Sequence, residues 1–180
     1  MSELSHGRSI RDDSAVSDVE EQRRRDTSRQ EAVGRISRAD WPADDGWICN
    51  CIVLRDNMLL LLKREEDGYM GGSWDLPGGK LDDREDPVEA ARRELEEEAG
   101  LIGETLVEVA HYSNEDAYGD KSRFHTVTFE VTQEDSTRAV QLSDEHPEFC
   151  WVDSAQFREL PVVWYVRRVI EQHPWYIAEQ

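Results

Sequence analysis

Glu94, Glu97 and Glu98 stand at i, i+3 and i+4 in a stretch whose neighbours favour a helix. At about 100° per residue, three carboxylates so spaced share one arc of roughly 100°. Like charges at these spacings each cost a helix a few tenths of a kcal/mol, and Glu96 adds to the repulsion. Arg93 is expected to point away from the centre of the patch, so the compensating charge is assigned to a bound cation. Oxygen donors that leave room for water and substrate phosphates suit Mg²⁺ or Mn²⁺. An ordinary solvated acidic helix is the alternative reading of the same spacing. The preceding turn, Pro77-Gly78-Gly79, lets backbone approach closely and can offer a carbonyl, with Lys80 immediately after it. Glu85 is placed to pair with Arg93.

These residues need elements to hold them. Asp86 followed by Pro87 is a helix start and Gly100 a natural stop, which predicts a helix over Pro87–Ala99. Val88, Ala91, Leu95 and Ala99 then face a sheet, and Ala90, short among the acids, leaves the space above them open. Trp47–Leu54 and Met58–Lys63 read as a hairpin across Arg55-Asp56-Asn57, and Trp74 opens a short strand broken by the Pro-Gly-Gly turn. Further strands are expected at Leu106–Tyr112, Phe124–Thr132 and Phe149–Val152. Two late helices should follow, one from near Ser154 and one over about Val162–Glu171.

Forty acidic residues against 21 basic ones give a formal charge of −19, which excludes a nucleic-acid duplex as partner because phosphate contacts need clustered Lys and Arg. The longest apolar run, Met58–Leu62, is far short of the roughly 20 residues that cross a bilayer. The first twenty residues lack the apolar block of a secretory signal, so a cytoplasmic protein, monomer or homodimer, is expected. Lys63, Lys80 and Lys121 are the only lysines, which suits either a salt-rich cytosol or a genome favouring arginine codons. Cys49, Cys51 and Cys150 lack paired metal-ligand spacing and read as small buried hydrophobes. Residues 1–40 contain no aromatic residue and read as a charged tail or solvated helix, with the folded domain at 41–180.

Gly79, five residues, Glu85, seven residues, then Arg93-Glu94-Leu95-Glu96-Glu97-Glu98-Ala99-Gly100-Leu101 complete a 23-residue pattern that resembles the Nudix box, G-x5-E-x7-R-E-U-x-E-E-x-G-U, at every position. The preceding strands and Trp74 to Gly78 resemble the MutT-type branch. The resemblance implies a Nudix α/β/α sandwich, an α/β fold with a central mixed β-sheet. It also implies hydrolysis of a nucleoside diphosphate linked to another moiety, by water attack on phosphorus with divalent cations. Carried over, Glu94, Glu97 and Glu98 match the metal-binding glutamates and Gly78 the position whose carbonyl joins them. Glu97 and Glu98 are then also catalytic, and Gly79, Glu85, Arg93 and Gly100 are structural positions of the motif. Glu145, ahead of the Trp151-Val152 strand, is the candidate for a further metal ligand or general base.

Specificity lies outside the box. Lys63, Arg64, Lys80, Lys121 and Arg123 are candidate contacts to phosphate or ribose. Trp74, Leu76, Tyr118 and Trp164 are candidates for the nucleoside, with core packing the alternative for Trp164. Tyr118 resembles a tyrosine of dinucleoside polyphosphate hydrolases in this family, whereas the proline of ADP-ribose pyrophosphatases is missing. A nucleoside triphosphate, with an oxidised purine the first guess, is the expected substrate. ADP-ribose, nucleotide sugars and dinucleoside polyphosphates remain alternatives, as does a non-hydrolytic sensor of the same fold using its charged arm. Isopentenyl diphosphate isomerase chemistry would use a cysteine and histidines that cannot be placed here.

Overall fold

The computed structural model describes residues 31–32, 45–82, 85–115, 123–132 and 134–178. The strands are β1 (Glu31–Ala32), β2 (Gly46–Arg55), β3 (Met58–Lys63), β4 (Trp74–Asp75), β5 (Gly78–Lys80), β6 (Leu106–Glu115), β7 (Arg123–Val131) and β8 (Phe149–Val152). The helices are α1 (Pro87–Ala99), α2 (Ser154–Glu159), α3 (Trp164–Ile170) and α4 (Pro174–Ile177). The strands follow the order β1-β6-β7-β2-β3-β4, with β5 on β2 and β8 on β3. Among the described strands only β2 and β7 pair in parallel, so the sheet is mixed as expected. Among the described residues, no helix is long and apolar enough to cross a membrane.

Alternation along the central strands builds two cores. Cys49, Cys51, Val53, Leu60, Leu62, Val127 and Phe129 face α1, meeting Ala90, Ala91, Leu95 and Ala99. Ile52, Leu59, Leu61 and Val152 face the other way, against Phe157 of α2, Val166 and Ile170 of α3 with Val163 just before it, and Trp175 of α4. Leu59 to Leu62 are each fully buried because helices cover both faces of their strand. The layering is therefore α/β/α. Cys49 and Cys51 are fully buried and Cys150 half-buried, and burial pushes the Cys49 thiol up to about 12 and that of Cys150 up to about 11. They are inert thiols.

Helix α1 has the predicted bounds because both ends are chemically defined. Asp86 accepts a hydrogen bond from the Val88 N–H, Pro87 supplies a preset φ, and Gly100 closes the helix at φ 66° with its N–H donating to the Glu96 carbonyl. The β2–β3 turn is tighter than Arg55-Asp56-Asn57: Arg55 stays in the strand, and Asp56 and Asn57 take φ of 51° and 61°. Asp and Asn tolerate that left-handed region, as a two-residue hairpin turn demands.

One expectation needs correction, and three short elements come in addition to those expected. Ala90 does not border open space but is fully buried in the core beneath α1. Glu31 and Ala32, read as part of a charged tail, pair with Ser113 and Tyr112 on the outer edge of β6, where backbone groups seek partners. β5 and α4 have no counterpart in the sequence reading. Most of residues 1–40, together with Tyr118 and Lys121, lies outside the described residues.

One polar cluster sits inside the α1 side of the sheet. Trp47 stacks on His125 at 4.0 Å, the His125 Nε2–H donates to Asp45 Oδ2 at 2.8 Å, and the His111 Nε2–H donates to His125 Nδ1 at 3.3 Å. Burial first, and the adjacent His125 second, hold the His111 pKa down at about 4. The unfolded chain, with an ordinary histidine near 6.5, therefore binds more protons between those values, so stability rises with pH across them and is lost on acidification. Urea unfolding should show a loss on the order of 3 kcal/mol between pH 6.5 and 4 attributable to this ring. His111→Phe should flatten the profile over that window, and an unchanged slope would show that the proton goes elsewhere.

Candidate functional site

The site begins with strand register. Cys51 N–H bonds the Pro77 carbonyl and Leu81 N–H bonds the Trp47 carbonyl, so Gly78, opposite Asn50, is a non-hydrogen-bonded position. Its N–H and C=O point away from β2, and the N–H donates to Glu98 Oε2 at 2.8 Å. Only glycine fits: φ is 155°, and a Cβ there would lie 2.1 Å from the Cys49 carbonyl oxygen. At Gly79 a Cβ would lie 2.5 Å from Glu94 Oε1. The Gly-Gly pair is the space that lets α1 bring its carboxylates against the β5 backbone.

Glu98 is 7% exposed and doubly held. Besides Gly78, its Oε1 accepts from His146 Nε2–H at 2.9 Å, while His146 Nδ1–H donates to the Lys63 carbonyl at 3.0 Å. Each ring nitrogen faces an oxygen acceptor, an arrangement that favours the protonated ring. Burial opposes that charge, but the Glu98 hydrogen bond and carboxylate outweigh it and the His146 pKa is raised. The histidine arrives with the loop that ends α1: Gln141 N–H bonds the Ala99 carbonyl and Ser143 N–H the Glu98 carbonyl. That docking also brings Asp144 and Glu145 to the site.

Arg93 overturns one expectation, because it turns into the carboxylate patch rather than away from it. Nη1 donates to Glu94 Oε1 at 2.9 Å and Glu97 Oε2 at 3.0 Å, Nε and Nη2 each bond Glu85 at 3.0 Å, and Nη2 also reaches the Lys80 carbonyl. A five-donor fork can satisfy several acceptors that a helical wheel treats as separate directions. The Arg93 pKa is raised, led by Glu85, whose own pKa is lowered by the same bond. Glu94 nevertheless has a raised pKa, first from burial and then, against the pull of Arg93, from Glu98 and Glu97.

These groups open on a cleft of about 1070 Å³ between the sheet face, α1 and the loop around Glu145. It brings together Gly78, Gly79, Lys80, Arg93, Glu94, Glu97, Glu98 and Glu145, and also Arg64, Leu76 and Trp164. Lys63, Trp74 and Arg123 are set apart. Lys63 pairs with Glu148 at 3.2 Å, Trp74 packs against the second core, and Arg123 Nη1 donates to Ser113 Oγ at 2.9 Å. Strand alternation turns such residues away from the cleft even though neighbours in sequence line it. Glu85 braces Arg93, and Gly100 is the helix cap. The cleft also holds Asn50, Tyr69, Asp75, His146 and Tyr165. Asp75 lies within the Trp74 to Gly78 segment and His146 follows Glu145 directly, while Asn50, Tyr69 and Tyr165 come from segments with no motif.

Three carboxylates and a backbone carbonyl are hard oxygen donors, which suit a divalent cation of the Mg²⁺ type. The missing Cβ at Gly79 leaves room for Glu94 beside them, and raised proton affinity at Glu94 marks negative charge in excess of what Arg93 balances. Among the described residues, no three acidic, histidine or cysteine side chains already form a cage, since Arg93 and His146 occupy part of the carboxylate valence. The residues fit a cation that shares these carboxylates with the substrate.

Residues 48–173 match the family model for the NUDIX domain. The chain is 33% identical over 104 residues to a protein named putative 8-oxo-dGTP diphosphatase 3 from Mycobacterium tuberculosis, covering 58% of this chain and 48% of that one. It is 43% identical over 56 residues to an 8-oxo-dGTP diphosphatase of Proteus vulgaris, covering 31% and 46%. The match thus spans about half the length of each of these curated relatives. The crystal structure of a MutT NUDIX hydrolase from Burkholderia pseudomallei superposes with a TM-score of 0.62 at 26% identity, covering 71% of this chain and 97% of that one. With the box residues gathered on one glycine-bordered cleft and a family model that matches most of the sequence, the chain belongs to the Nudix hydrolase family.

Proposed function

We propose that the chain is a Mg²⁺- or Mn²⁺-dependent pyrophosphohydrolase that cleaves a phosphoanhydride bond of a nucleoside triphosphate, an oxidised purine nucleotide being the preferred case. The observation that carries this reading is the convergence of Glu94, Glu97, Glu98, Gly78 and Glu145 on one cleft that also presents Arg64 and Lys80. Similarity to proteins named 8-oxo-dGTP diphosphatase supports the substrate class.

Charge explains why a cation is needed. The cleft wall carries eight carboxylates against the permanent cations Arg64, Lys80 and Arg93, so a polyphosphate alone would be repelled. Glu94, Glu97, Glu98 and the Gly78 carbonyl would hold the metal, with Glu145 as a further ligand. A bound Mg²⁺ or Mn²⁺ lowers the pKa of water and neutralises phosphate charge. His146 fixes Glu98 in place, and Arg93 keeps Glu94 and Glu97 from collapsing onto one another or folding away. Glu145, exposed and on the open side of the cleft, is the candidate to accept the proton of the attacking water. Lys80 and Arg64 line the same cleft, Arg64 already paired with Asp75 at 2.9 Å.

Glu97→Gln and Glu98→Gln should each lower kcat by roughly 10²-fold or more in Mg²⁺, with the far-UV dichroism of the native fold retained. Near-normal turnover in both variants would refute the assignment. In Gly79→Ala the added methyl meets the flexible end of Glu94 rather than backbone, so the fold should persist while kcat drops about tenfold or more. A Mg²⁺-dependent screen over nucleoside triphosphates, ADP-ribose, nucleotide sugars and dinucleoside polyphosphates, with products identified, tests the substrate class. Nucleoside monophosphate and pyrophosphate from a triphosphate are the expected products, and hydrolysis of none would favour a nucleotide sensor.

A further inference from the structure

Away from the box, three side chains form a unit on the cleft wall that the hydrolytic chemistry does not use. Asp75, 4% exposed, accepts the Leu76 N–H on Oδ1, and on Oδ2 accepts Arg64 Nη1 at 2.9 Å and the Tyr165 hydroxyl at 2.5 Å. Arg64 Nε–H donates in turn to the Tyr69 carbonyl at 2.8 Å. Two of the three guanidinium nitrogens are thus committed, and Nη2 has no acceptor among the described residues. The arginine side chain is 30% exposed and lines the cleft.

The balance of charge says what Nη2 can recognise. Asp75 neutralises Arg64, so the unit offers a directed donor with little net field, whereas a phosphate calls for surplus positive charge. Burial raises the Asp75 pKa, but Tyr165 and Arg64 pull against it, and their hydrogen bonds serve the ionised carboxylate. Beside the unit stand two aromatic rings, Trp164 and Tyr69, joined by Trp164 Nε1–H donating to the Tyr69 hydroxyl at 3.3 Å and both lining the cleft. A neutral directed donor next to flat apolar faces suits a heteroaromatic ring bearing a carbonyl, the group arginine reads on purines. A buried ion pair kept only for stability gains nothing over apolar packing of the same volume.

We propose that Tyr165 and Asp75 are positioning residues that aim Arg64 Nη2 at a carbonyl oxygen of the substrate's purine base. This rests on the nucleotide reading above and assigns this end of the cleft to the base and the box end to the phosphates. Holding the guanidinium by two bonds before the ligand arrives lowers the cost of ordering it on binding.

Equilibrium binding measured by calorimetry on the full chain with Mg²⁺ carries the test, using dGTP, dATP and inorganic tripolyphosphate as probes. Arg64→Gln and Tyr165→Phe should each weaken dGTP binding, about tenfold for the tyrosine, while leaving dATP and tripolyphosphate within about twofold. Tyr165→Phe should add nothing in the Arg64→Gln background, because the hydroxyl acts only through the arginine. Thermal melting of Tyr165→Phe checks that the ring still packs, and Asp75→Asn, which keeps the shape but removes the charge that neutralises Arg64, should weaken dGTP binding relative to tripolyphosphate. Additive effects, equal weakening of tripolyphosphate, or no dGTP binding by the wild type would overturn the proposal. Failure of the hydrolysis screen alone defeats the enzymatic reading and leaves this one standing, since binding needs no turnover.

Discussion

The crowding of carboxylates along one side of α1 is the constraint around which the rest of the site is arranged. Glu94, Glu97 and Glu98 repel one another, and Glu94 and Glu98 are also largely removed from water. Donors offset that repulsion: Arg93 reaches Glu94 Oε1 and Glu97 Oε2, and the Gly78 N–H and His146 between them hold both oxygens of Glu98. Burial, with Glu98 and Glu97 adding to it, pushes the Glu94 pKa up against the pull of Arg93. A site so balanced gains from an added divalent charge, which is the property phosphoanhydride chemistry needs.

Several distant segments exist in their present places because of that balance. β5 presents Gly78 with its polar atoms turned away from β2, a consequence of register at a position that only glycine fits. The 141–146 loop satisfies the last carbonyls of α1 and thereby delivers His146 and Glu145 from nearly fifty residues downstream. The two cores serve the same end. One fixes the buried face of α1 against the sheet, and the other seats α3 so that Trp164 and Tyr165 reach the cleft. A carboxylate site and an aromatic-lined site thus share one opening while depending on opposite faces of the sheet.

Much of this arrangement is legible in residue order, for reasons that can be named. Helix α1 is bounded by an Asp-Pro start and a glycine stop, both local devices, so its limits follow from a few adjacent residues. The box carries its own spacing, and the Glu85–Arg93 pair lies within it. Misreadings occur where direction in space matters. Arg93 looks as if it leaves the patch on a helical wheel, yet its long flexible stem curls back to three acids. Lys63 and Trp74 stand beside cleft residues in sequence and face elsewhere, because successive side chains of a strand alternate.

The order of residues by itself determined the family, the helix that bears the acids and, through the family, the mixed-sheet class, since each depends on spacing within about two turns of chain or on a contiguous motif. Tertiary structure alone decided that Arg64, Asp75 and Tyr165 form one unit, that His146 serves Glu98, and that Asn50 sits opposite the glycine that frees a backbone carbonyl. Those pairings join positions up to 101 residues apart, from Arg64 to Tyr165. No local propensity encodes them, because they come into being only when strand register and helix docking bring the chain back on itself.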